Sequence, residues 1–121
     1  MLKKICVVGA SGLVGHNLIK KIQGFDIIGT FNNTSVNFEN IPIVKLDITK
    51  YESCQQILKF NPDFIINATA ISDVDYCEKF KDKAYSVNVL GVKNLVKIAK
   101  KLLCKLIQIS TDGIFSGRNE S

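Results

Sequence analysis

Arginine occurs once in this chain, at Arg118, and histidine once, at His16. The formal net charge of +5 therefore comes almost wholly from lysine. The lysines are scattered over helix-patterned segments with no aromatics interleaved, which describes a solvated surface and not a nucleic-acid footprint. Cysteine occurs at Cys6, Cys54, Cys77 and Cys104, without a CxxC pair or a histidine companion. That spacing argues against a metal site and for reduced, buried thiols in a cytoplasmic protein. No apolar run reaches the length of a membrane span, and the first is cut by glycine too early to serve as a signal peptide. What is left, 46% hydrophobic and 22% charged over 121 residues, is ordinary for one soluble domain with a real core.

The stretch that organises the chain is Lys3 to Gln23, KKICVVGASGLVGHNLIKKIQ. Ile5, Cys6, Val7 and Val8 form a short apolar run that reads as a strand buried on both faces. Gly9, Gly12 and Gly15 follow in GxxGxxG spacing, and Val14, Leu18 and Ile22 then recur one helical turn apart. Strand, glycine turn and helix in this order open a dinucleotide-binding fold. Gly9 permits a tight turn, Gly12 lets backbone N–H groups approach a pyrophosphate, and Gly15 lets the helix pack close on the strand. The anion would sit at the helix N-terminus, where free N–H groups and the macrodipole favour negative charge. Ser11, Leu13 and Val14 complete this loop as cofactor-binding candidates. His16, just past the last glycine, reads as a structural residue on the helix surface.

Phe25 to Thr30 reads as the second strand. In such folds its end meets the adenosine ribose: an acid there selects NAD, and a nearby basic group accommodates the NADP phosphate. Here Thr30, Phe31, Asn32, Asn33 and Thr34 carry neither charge. The expected cofactor is NADP or NAD, the missing carboxylate tilting the choice toward NADP, with Asn32 a candidate contact. Residues 35–40 read as a polar connection and Ile41 to Leu46 as a third strand, followed by Asp47, Ile48 and Thr49. Asp47 is suited to capping the next helix. That helix, from about Tyr51 to Phe60, is stopped by Asn61-Pro62-Asp63, and Phe64 to Asn67 forms a fourth strand.

A long helix is expected from about Asp82 to Leu103, and a fifth strand over Lys105 to Ile109. At roughly 100° per residue the helix carries two apolar stripes. Ala84, Val87, Gly91, Leu95, Ile98 and Leu102 form one, assigned to the sheet. Tyr85, Val89, Val92, Val96, Ala99 and Leu103 form the other, spaced like a helix–helix seam. Asn88 falls between them, mid-helix, where asparagine is a poor former.

Several segments resemble one family. The GxxGxxG spacing is similar to the fingerprint of the short-chain dehydrogenases/reductases. PDFIINATAISDVDYCE (residues 62–78), VNVLGVKNL (87–95) and STDGIFSG (110–117), in that order, resemble the dTDP-4-dehydrorhamnose reductases and their sugar-nucleotide relatives in the extended branch of that family. The resemblance implies that Asp47, with Ile48 beside it, holds the adenine amino group. It implies that Asn67, Ala68, Thr69 and Ala70 border the cofactor groove, and that Asn88 supports a water chain behind a catalytic lysine. Thr111 would polarise the substrate ketone. Residue by residue, plainer readings stand beside these: Ser72, Asp73 and Asp75 suit an Asx-rich turn, and Ser110, Thr111 and Asp112 suit a strand end that satisfies loose backbone groups. The family usually has alanine at Thr69 and tyrosine at Gly113.

The family's chemistry also requires a Tyr-x-x-x-Lys pair. Four residues after Tyr51, Tyr76 and Tyr85 come Gln55, Phe80 and Val89, so no such pair is present. The resemblance spans essentially the whole chain, residues 1–121, but only the N-terminal part of a family member. The chain therefore reads as the nucleotide-binding half of something longer, or as a truncated gene product. The expected fold is a doubly wound α/β sandwich of Rossmann type, strand order 3-2-1-4-5, with the cofactor across the carboxyl ends of strands 1 and 4. The implied activity of the complete protein is NAD(P)-dependent reduction of a keto-sugar nucleotide such as dTDP-4-dehydrorhamnose. Alternatives on the same scaffold are an epimerase or dehydratase, or a non-catalytic subunit like that of methionine adenosyltransferase. The implied partners are a sugar nucleotide and, through the 82–103 helix, a second copy of the protein; no nucleic acid, membrane or metal is implied.

Overall fold

The computed structural model describes residues 2–69 and 79–109. Five strands, β1 (Lys4–Val8), β2 (Asp26–Phe31), β3 (Ile43–Lys45), β4 (Phe64–Asn67) and β5 (Lys105–Gln108), form one sheet in the order β3-β2-β1-β4-β5. Every pairing is parallel. The order is the one expected from the sequence. β1 lies at the centre, with Val8 paired to Thr30 on one side and to Asn67 on the other.

Alternation along β1 divides the core in two. Cys6 and Val8 face a cluster with Leu46, Ile48, Cys54, Ile57, Ile65, Leu95, Ile98 and Ala99. Ile5 and Val7 face the opposite cluster with Ala10, Ile19, Ile27 and Ile66. Helix α1 (Leu13–Lys21) covers the second face. The first is covered by α2 (Tyr51–Cys54), α3 (Gln56–Phe60) and the long helix described below. The buried side of α1 is centred on Gly15 and Ile19, with Leu18 and Ile22 packed at its margin. Val14, expected in that stripe, instead faces the groove at the glycine loop. His16 packs its ring against Phe38, with centroids 4.8 Å apart, in keeping with a structural role.

Three elements depart from the pattern read from the sequence. β3 spans Ile43–Lys45 rather than residues 41–46 because Pro42 has no N–H to give the ladder. Its carbonyl still accepts the Gly29 N–H at 3.0 Å, while Ile41 bridges back to Phe38. The helix expected over 51–60 breaks at Gln55 into α2 and α3, and Asn61, with φ 54°, closes α3 in the left-handed region. The long helix is α4 (Lys81–Tyr85), a π-helical segment (Ser86–Gly91) and α5 (Val92–Leu102). Leu103 lies outside it, in the left-handed cap position and 92% exposed, so it does not belong to the second stripe.

The first stripe faces the sheet as expected. Ala84, Gly91, Leu95 and Ile98 are buried, and Val87 and Leu102 pack against the cluster. Ala99, assigned to the second stripe, is buried here too. Asn88 lies inside the π-helical segment. A π turn accommodates one extra residue without ending the helix, and such turns recur at functional sites.

Cys6, Cys54 and Cys104 are free thiols. Burial, with smaller contributions from Cys104 and Cys54, pushes Cys6 up to about 12; burial and the Asp47 carboxylate push Cys54 up to about 12. Neither supplies a thiolate nucleophile near neutral pH. Cys77 lies outside the described residues. Among the described residues no helix is long and apolar enough to cross a membrane, and no group of His, Cys, Asp and Glu side chains could hold a metal ion.

Candidate functional site

The carboxyl ends of β1, β2 and β4 converge on the glycine loop. Gly9 has φ 93°, a conformation open to glycine but strained for a residue with a Cβ. Its N–H is accepted by the Thr30 carbonyl (3.2 Å) and the Thr30 hydroxyl (3.3 Å), while the Ala10 N–H reaches the same carbonyl at 2.7 Å. Thr30 is 1% exposed. It pins the loop to β2, a role that its position at a strand end did not distinguish from ribose contact.

The three glycines differ in what requires them. A Cβ on Gly9 would meet the Thr69 methyl at 2.8 Å and the Ala68 carbonyl oxygen at 3.1 Å. A Cβ on Gly15 would collide with the Gly9 carbonyl, its carbon 2.8 Å away, and approach the Ala10 Cα to 3.2 Å. Gly12 is different. Its φ is −77°, and a Cβ there would touch only the Gly9 carbonyl oxygen at an ordinary 3.7 Å. No protein contact demands glycine at position 12. It is the N-cap of α1, and no side chain caps that helix. Uncapped N–H groups beside an open backbone form a cradle for an anion.

Two adjoining cavities run from this cradle. One, of about 460 Å³, is lined by Ser11, Gly12, Leu13, Val14, Thr34 and Ala68. The other, of about 220 Å³, is lined by Phe31, Asp47, Ile48, Thr49, Lys83 and Val87. Gly9, Asn32, Asn33 and Thr69 border both, so the two form one groove.

Asp47 does not cap the helix that follows: the N-cap of α2 is Lys50, and no side chain bonds there. Its Oδ1 instead accepts the Thr49 N–H at 3.0 Å and the Thr49 hydroxyl at 2.7 Å, an Asx turn that holds the carboxylate at the cavity. Burial pushes the Asp47 carboxyl up. The Thr49 bonds, with the charges of Lys50 and Lys83, outweigh that and hold it below the ordinary carboxylate range. These contacts contribute above that range and are lost as the pH falls through the lowered pKa. The Ile48 carbonyl accepts the Asn94 side-chain N–H at 2.8 Å, and Gly91 leaves room for the Ile48 side chain. Asn94 and Gly91 thus fix the wall that Ile48 presents.

Asn67 is fully buried and does not line the groove. Its Nδ2 donates to Gln108 at 2.8 Å, and its Oδ1 accepts the Thr69 hydroxyl at 2.6 Å and the Thr69 N–H at 3.2 Å. It therefore positions Thr69, which stands in the groove against Gly9, and ties β4 to β5. Of the expected cofactor contacts, the structure brings together Gly9, Ser11, Gly12, Leu13, Val14, Asn32, Asp47, Ile48, Ala68 and Thr69. Gly15 is buried behind the loop, and Asn88, in the π-helical segment, is not among the lining residues. Ala70 and Thr111 lie outside the described residues.

Residues 3–121 match the family model described as RmlD substrate binding domain. The chain belongs to this family. A dTDP-4-dehydrorhamnose reductase of Aggregatibacter actinomycetemcomitans is 32% identical over 117 residues, covering 96% of this chain and 37% of that protein. The crystal structure of dTDP-4-dehydrorhamnose reductase from Bacillus anthracis in complex with NADP superposes with a TM-score of 0.78. It is 30% identical and covers 98% of this chain and 40% of its own. Methionine adenosyltransferase 2 subunit beta of Bos taurus is 28% identical over 120 residues, covering 97% of this chain and 35% of that protein. The chain thus spans a little over a third of the length of the curated relatives it matches.

Proposed function

We propose that the complete protein is an NAD(P)-dependent reductase of a keto-sugar nucleotide, with dTDP-4-dehydrorhamnose the expected substrate and dTDP-rhamnose the product. The observation that carries this reading is the continuous groove from the uncapped α1 terminus to the Asp47 cavity, in a chain of the RmlD family. The residues fit a dinucleotide. Gly12 leaves space at the N–H groups of α1 for a pyrophosphate, Asn32 and Asn33 offer amides to a ribose, and the Asp47 carboxylate can accept an adenine amino group. When bound, such a cofactor supplies the hydride. Thr111, by its family resemblance, would donate to the ketone oxygen as charge develops there.

Two expectations follow. NADPH oxidation by the complete protein, measured against a panel of dTDP- and UDP-keto sugars, should be fastest with dTDP-4-dehydrorhamnose; oxidation with none of them would remove the reductase reading. The 121-residue chain alone should show no turnover, because it holds no Tyr-x-x-x-Lys pair. Loss of a positioned acid/base costs about 10²–10⁴-fold, so cofactor-dependent ketone reduction by the isolated chain would contradict this assignment.

A second reading is favoured by the similarity to methionine adenosyltransferase 2 subunit beta: a nucleotide-binding subunit without reductase activity. The sequence of the gene beyond Ser121 separates the two, since the reductase reading needs a downstream Tyr-x-x-x-Lys.

The second stripe of the long helix supports a homodimer. Tyr85 is 53% exposed, and Val89, Val92 and Val96 are half-buried. A helix facing only its own core needs one apolar stripe. Val92→Lys combined with Val96→Glu should give a folded monomer in light scattering. A wild-type monomer, or a double variant that stays dimeric, would return these valines to intramolecular packing.

A further inference from the structure

Charge is sparse in the groove. Among the described lining residues of its two cavities, Asp47 is the one anion and Lys83 the one cation. Asn32 and Asn33 reach the Asp47 cavity from the end of β2, where a Rossmann fold ordinarily reads the adenosine ribose, and both are neutral. Lys83 reaches the same cavity from α4, and its charge acts on Asp47. A phosphate monoester carries close to two negative charges at neutral pH. Placed beside the asparagines, it would meet the Asp47 carboxylate with no cation on the β2 side to offset it. An ammonium on a flexible four-carbon stem is the group that can turn toward such a phosphate, or toward solvent when there is none.

We propose that Lys83 selects NADP over NAD by pairing its ammonium with the adenosine 2′-phosphate in the cavity bounded by Asn32, Asn33 and Asp47. This rests on the reading of the groove as a nicotinamide dinucleotide site and adds the group that discriminates between the two nucleotides. The device differs from a basic residue at the β2 terminus: the selecting charge comes from the helix after β4, a region that otherwise carries ordinary solvated lysines.

A rival role for Lys83 is to balance Asp47 alone, and it makes a different prediction. A residue that serves only the carboxylate affects both nucleotides equally, because adenine is common to them. The test is titration of NADPH and of NADH, each by its own fluorescence, against the wild-type protein, Lys83→Met and Lys83→Arg. Lys83 is exposed, so the unliganded variants should melt as the wild type does. Lys83→Met should weaken NADPH about tenfold or more, as expected for one hydrogen bond to a charged group, and change NADH by less than about threefold. Lys83→Arg should keep the preference. Equal weakening of both nucleotides by Lys83→Met, no weakening of either, or a wild type without preference for NADPH would overturn the proposal. A wild type that binds neither nucleotide would instead remove the dinucleotide reading of the groove itself.

Discussion

Gly15→Ala is expected to destabilise the protein, although intrinsic helix propensity points the other way. Alanine in a helix interior is favoured over glycine by about 1 kcal/mol, and Gly15 lies within α1. The added Cβ, however, would enter the Gly9 carbonyl group and press on the Ala10 Cα. Both obstacles are backbone. Gly9 is fixed by its bonds to Thr30 and Ala10 by a 2.7 Å bond to the same carbonyl, so neither can yield by a rotamer change. The helix must lift from β1, which opens the packing of Ile19 and Leu18 against the core. Overpacking of this kind costs about 1–3 kcal/mol or more, enough to reverse the propensity term and lower the melting temperature by several degrees. Thermal unfolding followed by circular dichroism reads the sign directly. A melting temperature at or above that of the wild type would mean that α1 does not need its close approach to the strand.

Gly12→Val should do the reverse, leaving the fold and removing cofactor binding. The position has φ −77°, which valine adopts, and its nearest protein atom lies at ordinary contact distance. Valine is a poor N-cap, so a loss of about 1 kcal/mol in stability is expected. In the groove the isopropyl group would stand where a pyrophosphate must approach the α1 N–H groups. Losing two hydrogen bonds to a charged group, at about 1.5–3 kcal/mol each, weakens binding roughly a hundredfold or more. NADPH titration on the folded variant measures this. Unchanged affinity would reduce the three glycines to a turn motif with no ligand role.

The contrast between these two substitutions shows what was legible in the sequence. The strand–glycine–helix succession and the sheet order followed from apolar period and glycine spacing, because a strand buried on both faces and a one-sided helix leave different patterns. The division of labour among the glycines followed as well: a tight turn at Gly9, an open approach at Gly12, a close contact at Gly15.

Other features carried no local signal. The π-helical segment keeps apolar residues in register on both sides of Asn88, so the pattern reads as one uninterrupted helix. Thr30 and Asn67 are polar residues at strand ends, which is where ligand contacts are sought. In the folded chain one pins the glycine loop and the other anchors Thr69 and Gln108. Asp47, open between helix cap and ligand contact, forms an Asx turn with Thr49, a bond pattern that the residues 47–49 permit but do not dictate. Lys83 was one lysine among many. It becomes distinct only when the sheet brings the end of β3 and the helix after β4 to one cavity.

The proposed function requires that this groove hold a nicotinamide dinucleotide with its pyrophosphate at the α1 terminus. Backbone amide shifts of the isotope-labelled protein, followed through separate titrations with NADPH and NADH, test it most directly. Saturable changes are expected at the amides of Gly12, Leu13 and Val14, together with Asn32, Asn33 and residues 47–49, from at least one of the two nucleotides. Absence of changes at these positions at millimolar concentrations of both, or changes confined to surfaces away from the glycine loop, would contradict it.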